Sequence, residues 1–147
     1  MLKHESGAVF PYFLIFCFIL FSGVYGANLY GSHQVRRLKE AQLLFVGDQF
    51  CQAIKSYYLE RKVYPDTLDE LISDSRFINK HHLRKLYKDP ITGEADWTLL
   101  FSNKQKIIGV ASKSNAQPIK RSGFSELYKN FNNASHYSDW KFIYKPD

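Results

Sequence analysis

The chain predicts an α+β fold, with one long N-terminal helix whose second half packs on a small antiparallel β-sheet. Three observations carry this reading. Residues 6–35 contain no Asp, Glu, Lys or Arg. The stretch that follows, to Arg61, repeats apolar side chains at three-and-four spacing, the mark of a helix with one buried face. Later come three short runs rich in β-branched and aromatic residues, WTLLF (97–101), KIIGVAS (106–112) and WKFIYKP (140–146), bounded by Asn, Ser, Pro and Lys as strands are. With 147 residues, 45% of them hydrophobic, the chain supports one small folded domain and not two.

The first element is the uncharged run AVFPYFLIFCFILFSGVYGANLY (8–30). About 20 apolar residues at 1.5 Å per residue match about 30 Å of hydrocarbon, so residues 8–30 are expected to cross a bilayer as a helix, after a short leader-like segment, 1–7. A cleaved secretory signal has a shorter apolar core and a small-x-small exit, which SGVYGA imitates only weakly. Arg36, Arg37 and Lys39, part of a net charge of +6, follow the run directly, where cations anchor a helix at the interface. Cys17 and Cys51 fall on the same helix, so a disulfide between them is excluded if that helix is continuous. No Cys-x-x-Cys metal spacing occurs.

Residues 31–62 continue as an amphipathic helix into the globular part. Val35, Leu38, Gln42, Phe45, Phe50, Ala53, Ile54 and Tyr57 are taken as its inner face, and Arg36, Lys39, Glu40, Asp48, Lys55 and Arg61 as its outer one. No proline separates this helix from the apolar run, so a single helix from about Ala8 to Arg61, on the order of 80 Å long, is expected. Pro11 is tolerated near its start, and Gly23, Gly26 and Gly31 are bending points.

The head, 63–147, opens with Pro65 as the stop and Asp66 or Thr67 as the cap of a short helix through Leu68, Leu71 and Ile72, with Asp69 and Glu70 in its first turn. In the stretch LYKDPITGEADW (86–97), Asp89, Pro90 and Gly93 form a structural turn, since proline fixes φ and glycine reaches positive φ without a steric penalty. Trp97 then leads into the first strand. Phe45, Phe50, Ile54 and Tyr57 are expected to pack beneath Leu99, Ile108, Val110 and Phe142, with Trp97, Trp140 and Tyr144 also in the core.

The residues that could carry chemistry are few. His81 and His82 are adjacent, so they point in different directions, and no third metal ligand is near in sequence. Ser112 and Ser114 lack a glycine elbow. No catalytic residue, metal, cofactor or small-molecule substrate is therefore expected, and the chain reads as a non-enzyme. Lys80, His81, His82, Arg84, Lys85 and Lys88, with Tyr87 among them, form a basic cluster. It reads first as a solvated face and second as a surface able to track a nucleic-acid phosphate backbone.

A long N-terminal helix with an apolar first half, Tyr64-Pro65 followed by Leu68 and Leu71, and Lys88-Asp89-Pro90 with Gly93 ahead of a few strands resembles the type II secretion pseudopilin and type IV pilin-like family, in its G-like branch. The likeness covers nearly all of the chain after residue 35. It implies a pilin-like fold and a structural subunit, minor or initiating, of a periplasmic filament of a secretion or pilus machine. Its partners would be other pilin-type subunits and an inner-membrane assembly platform. The alternative is a membrane-anchored periplasmic module that does not polymerise and binds DNA or an assembly partner.

The N-terminus departs from the family pattern. Gly7 and Ala8 are the candidates for prepilin processing, yet Ala8 stands where the family has phenylalanine and Tyr12 where it has the glutamate that pairs with a neighbour's terminal amine. The calcium loop of G-like members has no counterpart, because Asp139 and Asp147 are too isolated to supply six to eight oxygens. The resemblance implies an inner-membrane protein with the N-terminus cytoplasmic and the head periplasmic. The charges flanking 8–30 favour the opposite orientation, but long hydrophilic domains translocate largely regardless of them.

Overall fold

The structure is a computed structural model that describes residues 9–77 and 80–146, apart from the side chains at 9, 21–32 and 61. It separates into two compact units, 1–36 and 37–147. In order, the elements are α1 (Val9–Arg61), α2 (Asp69–Ile72), β1 (Thr98–Phe101), β2 (Ile107–Ala111), two 3-10 turns (Glu126–Phe131 and Tyr137–Asp139) and β3 (Lys141–Ile143). The fold is thus α+β, a long helix and a three-stranded antiparallel sheet, as expected.

The first unit is helical throughout its described part, and Phe10, Phe13, Phe16, Phe18 and Ile19 are all exposed. Among the described residues no helix is long and apolar enough to cross a membrane. Within the expected 8–30 span, residue 8 and the side chains at 9 and 21–30 lie outside what the structure describes, so the transmembrane expectation rests on the sequence alone.

In the second unit α1 stops at Arg61 because Lys62 turns left-handed (φ 57) and donates its N–H to the Tyr58 carbonyl at 2.7 Å. Pro65, the expected stop, lies further on and is buried, its carbonyl accepting the Ile107 N–H at 2.9 Å. The expected cap of α2 is not made: Leu68 occupies the N-cap position with no side-chain bond, and Asp66 instead pairs with Lys106 at 2.5 Å.

The strands form a meander in the order β1-β2-β3. Their register aligns Leu99 with Val110 and Val110 with Phe142, a row across one face of the sheet, and the register shifts between Leu100 and Phe101. Against this face α1 presents Leu43, Val46, Phe50, Ala53, Ile54 and Tyr57, all buried. Part of the expected inner face is therefore corrected, because Val35, Leu38, Gln42 and Phe45 are all exposed, Leu38 at 70% and Phe45 at 58%. At 3.6 residues per turn Phe45 lies about 140° around the helix from Phe50, so the two cannot share a core face. The set that follows the helical period is 43, 46, 47, 50, 53, 54 and 57.

Gly47 sits in the middle of that set. A Cβ there would overlap the ring of Phe142, which is itself fully buried between Phe131 at 5.1 Å and Tyr128 at 5.6 Å. Trp97 reaches the same core edge-on to Phe50 at 5.2 Å, while Trp140 stacks on Phe131 at 5.6 Å.

Replacing Gly47 with Ala sets a gain in helix propensity of about 1 kcal/mol against overpacking of about 1–3 kcal/mol. Because the ring has no room to retreat, the overlap wins, and Gly47→Ala is expected to lower stability by about 2 kcal/mol. The measurement is the urea midpoint of the full chain in detergent. In the Gly47→Ala background, Phe142→Leu should cost less than it does alone; additive losses would contradict the contact.

Candidate functional site

Gly7 and Ala8 lie outside the described residues. The turn of Asp89, Pro90 and Gly93 is formed. Gly93 has φ +82 with open space around it, so the positive φ alone selects glycine. Its N–H donates to the Asp89 carbonyl at 2.7 Å, and the Asp89 N–H donates to the Glu94 carbonyl at 2.7 Å. The Asp89 side chain does more than favour a turn. It is fully buried, its carboxylate accepting the Ile91 N–H at 2.8 Å and the Ser112 hydroxyl at 2.5 Å. Ser112 is thereby committed to joining the end of β2 to the turn. The Trp97 indole N–H, donating to the Tyr87 carbonyl at 2.8 Å, holds the other side.

In the basic cluster of residues 80–88, the expectation of a solvated face is corrected at His82. Lys80 is ion-paired with Glu60, and His81 Nδ1 is bonded at the Ile72 carbonyl. The His82 side chain is fully enclosed, with Nδ1 2.8 Å from the Ser56 hydroxyl and Nε2 3.1 Å from Asp74. Arg84, Lys85 and Lys88 remain exposed, with Lys85 5.4 Å from the Tyr87 ring centroid. The chain bends over residues 82–85, which turns His82 and Leu83 inward while His81, Arg84 and Lys85 stay exposed.

His82 belongs to a network that joins α1 to the segment after α2. Arg76 donates from Nε and Nη2 to the two oxygens of Asp74 at 2.8 and 2.7 Å, and its guanidinium lies 3.5 Å from the centre of the Tyr57 ring. The Tyr57 hydroxyl donates to Glu70 at 2.5 Å. Those Arg76 bonds hold the Asp74 carboxyl well below the usual carboxylate range, and burial followed by the bond to Glu70 pushes the Tyr57 hydroxyl up. Burial likewise pushes the Cys51 thiol up to about 12, which keeps it a thiol rather than a thiolate nucleophile at neutral pH.

A second convergence was not anticipated. Glu40, assigned from sequence to the outer face, is 3% exposed. Its carboxylate accepts the Ile119 N–H at 2.5 Å, the Lys120 N–H at 3.2 Å and the Tyr137 hydroxyl at 2.9 Å, gathering two distant parts of the long β2–β3 connection onto α1. A signal was present: Glu40 is one heptad before Gly47 and three residues before Leu43, inside the buried stripe once that stripe has the right phase. Next to it Arg37, Lys120, Arg121 and Ser122 line a cavity of about 440 Å³ with Ala41 and Leu44. Among the described residues no group of three His, Cys, Asp or Glu could hold a metal ion.

Two expected outcomes follow from these networks. Glu40→Ala leaves buried donors unmet and should cost about 3 kcal/mol in chemical unfolding, whereas Glu40→Gln, which keeps an acceptor oxygen, should cost roughly half of that. Equal losses would mean that the charge, not the hydrogen bonding, matters. For Asp74 the folded carboxyl titrates below its unfolded value. Its stabilisation is therefore complete above the unfolded pKa of about 3.9 and lost as pH falls below it toward the folded pKa. Asp74→Asn should be less stable than the parent at pH 7 and should lose less stability between pH 5 and 3; parallel acid profiles would exclude the Arg76 bond as the cause.

Compared with protein-family models, with curated proteins and with solved structures, the chain matches none.

Proposed function

We propose that this protein is a pseudopilin-like structural subunit of a periplasmic filament of the type II secretion or type IV pilus kind, in a minor or initiating position, anchored in the inner membrane with the head in the periplasm. One observation carries the reading: the two parts of a single element, α1, differ in what they bury. Its second half gives a buried stripe to the three-stranded sheet, while its described first part exposes Phe10, Phe13, Phe16, Phe18 and Ile19. Side chains of that kind need lipid or neighbouring helices. Leu38 and Phe45, exposed one heptad apart on the same helix, leave further apolar surface beside the packed face, which neighbouring subunits would cover.

The second reading, a membrane-anchored module that does not polymerise, is favoured by Ala8 and Tyr12 in place of the family's phenylalanine and glutamate. Its nucleic-acid form loses support from residues 80–88, since His82 is enclosed and Lys80 is paired.

Cysteine substitutions along residues 13–29 and at Phe45, made in a Cys17→Ser background, are expected to cross-link to pilin-type subunits in cells that carry them. Products confined to monomers would count against the filament, and cross-links to a single non-pilin partner would favour the module. Alkaline phosphatase fused after Asp147 should be active; a stable but silent fusion would place the head on the cytoplasmic side and sink both readings.

A further inference from the structure

We propose that the cavity beside Glu40 is a site for a phosphate-bearing anion, presented by an anionic phospholipid head group or free in solution. Arg37 comes from α1, and Lys120, Arg121 and Ser122 come from the connection more than eighty residues later. What brings them together is the pair of hydrogen bonds from the Ile119 and Lys120 N–H groups to Glu40. The loop is held from its other side by the Asn133 N–H, which donates to the Arg121 carbonyl at 3.0 Å. The three cations therefore sit on a braced loop and a helix.

The charge balance favours an anion. Among the described residues Glu40 is the one carboxylate lining the cavity, and its oxygens are occupied by the two backbone N–H groups and the Tyr137 hydroxyl in a nearly fully buried side chain. Lys120 lies 4.8 Å from the Phe124 ring centroid, a contact that leaves its charge uncompensated. Two arginines, a lysine and a serine lining one cavity suit the oxygens of a phosphate, which accept forked N–H pairs. Ala41 and Leu44 supply an apolar wall, and about 440 Å³ accommodates a glycerophosphate.

The lipid source rests on the membrane reading of residues 8–30. Arg37 lies seven positions after that run along α1, on the order of 10 Å at 1.5 Å per residue, so if residues 8–30 are in the bilayer Arg37 is near the head-group zone, where each basic residue adds attraction to anionic lipid.

The test uses the full chain in neutral detergent micelles, with thermal unfolding followed by the fluorescence of Trp97 and Trp140, both buried in the second unit. Dihexanoyl phosphatidylglycerol in large excess should raise the midpoint by roughly 5 °C, as ligand binding to the folded state requires, while dihexanoyl phosphatidylcholine should not. The combined variant Arg37→Gln, Lys120→Gln, Arg121→Gln should lose the shift, and Lys104→Gln, Lys141→Gln, Lys145→Gln, which removes equal charge elsewhere, should keep it. Should the combined pocket variant fail to fold, Arg37→Gln alone, at an exposed position, must still reduce the response. An equal shift from inorganic phosphate assigns the site to free phosphate, and a shift from the glycerol lipid alone assigns it to lipid. No shift from either, an equal shift with the choline lipid, or an equal loss in the two triple variants overturns the proposal. Alkaline extraction of the chain from membranes would remove the membrane reading while the micelle experiment still decides the site.

Discussion

A phenyl ring fills the space that a side chain at position 47 would need, and the second unit is organised around that contact. Gly47 lets α1 approach β3 until the helix backbone rests on Phe142, with Phe131 and Tyr128 closing around the ring. The approach fixes the phase of α1. With Gly47 at the centre, Leu43, Phe50 and Ile54 are turned toward the sheet, while Leu38 and Phe45 are carried round to the exterior. It also fixes the row Leu99, Val110 and Phe142 as the inner face of the sheet, since a strand's side chains alternate and one position decides the rest.

A sheet of three short strands would be marginal alone, and here it is stabilised by the helix and by polar contacts at its margins. Three carboxylates hold irregular backbone in place. Glu40 gathers the β2–β3 connection, Asp89 joins its turn to Ser112, and Asp74 with Arg76 joins the segment after α2 to Tyr57. Each is a long-range contact, and each gives buried donors the acceptors that they would otherwise have had in water. The pattern explains how a head with so little regular structure holds its long connections in place.

The same contacts determine which side chains are left for partners. Glu40 draws Lys120 and Arg121 toward Arg37, whereas Asp74 and Ser56 draw His82 away from its basic neighbours. A run of cations along the chain and a cluster of cations in space are different things. The first, at 80–88, is dispersed by folding; the second, beside Glu40, is created by it.

The residues alone determined the kinds of element and their order. The three-and-four spacing, the uninterrupted passage from Val9 to Arg61, the β-rich runs and the positive φ at Gly93 are local properties, set by sterics and by period within a few residues. They did not determine which of two neighbouring apolar stripes on α1 would be buried, because Val35, Leu38 and Phe45 also follow a helical spacing. That choice depended on where a glycine could meet a ring nearly a hundred residues later. Nor did they reveal the roles of Glu40, Asp89 and His82, which look in sequence like a surface acid, a turn former and part of a basic run. The energy of a buried polar group depends on whether a distant donor or acceptor meets it, and only the tertiary structure supplies that partner.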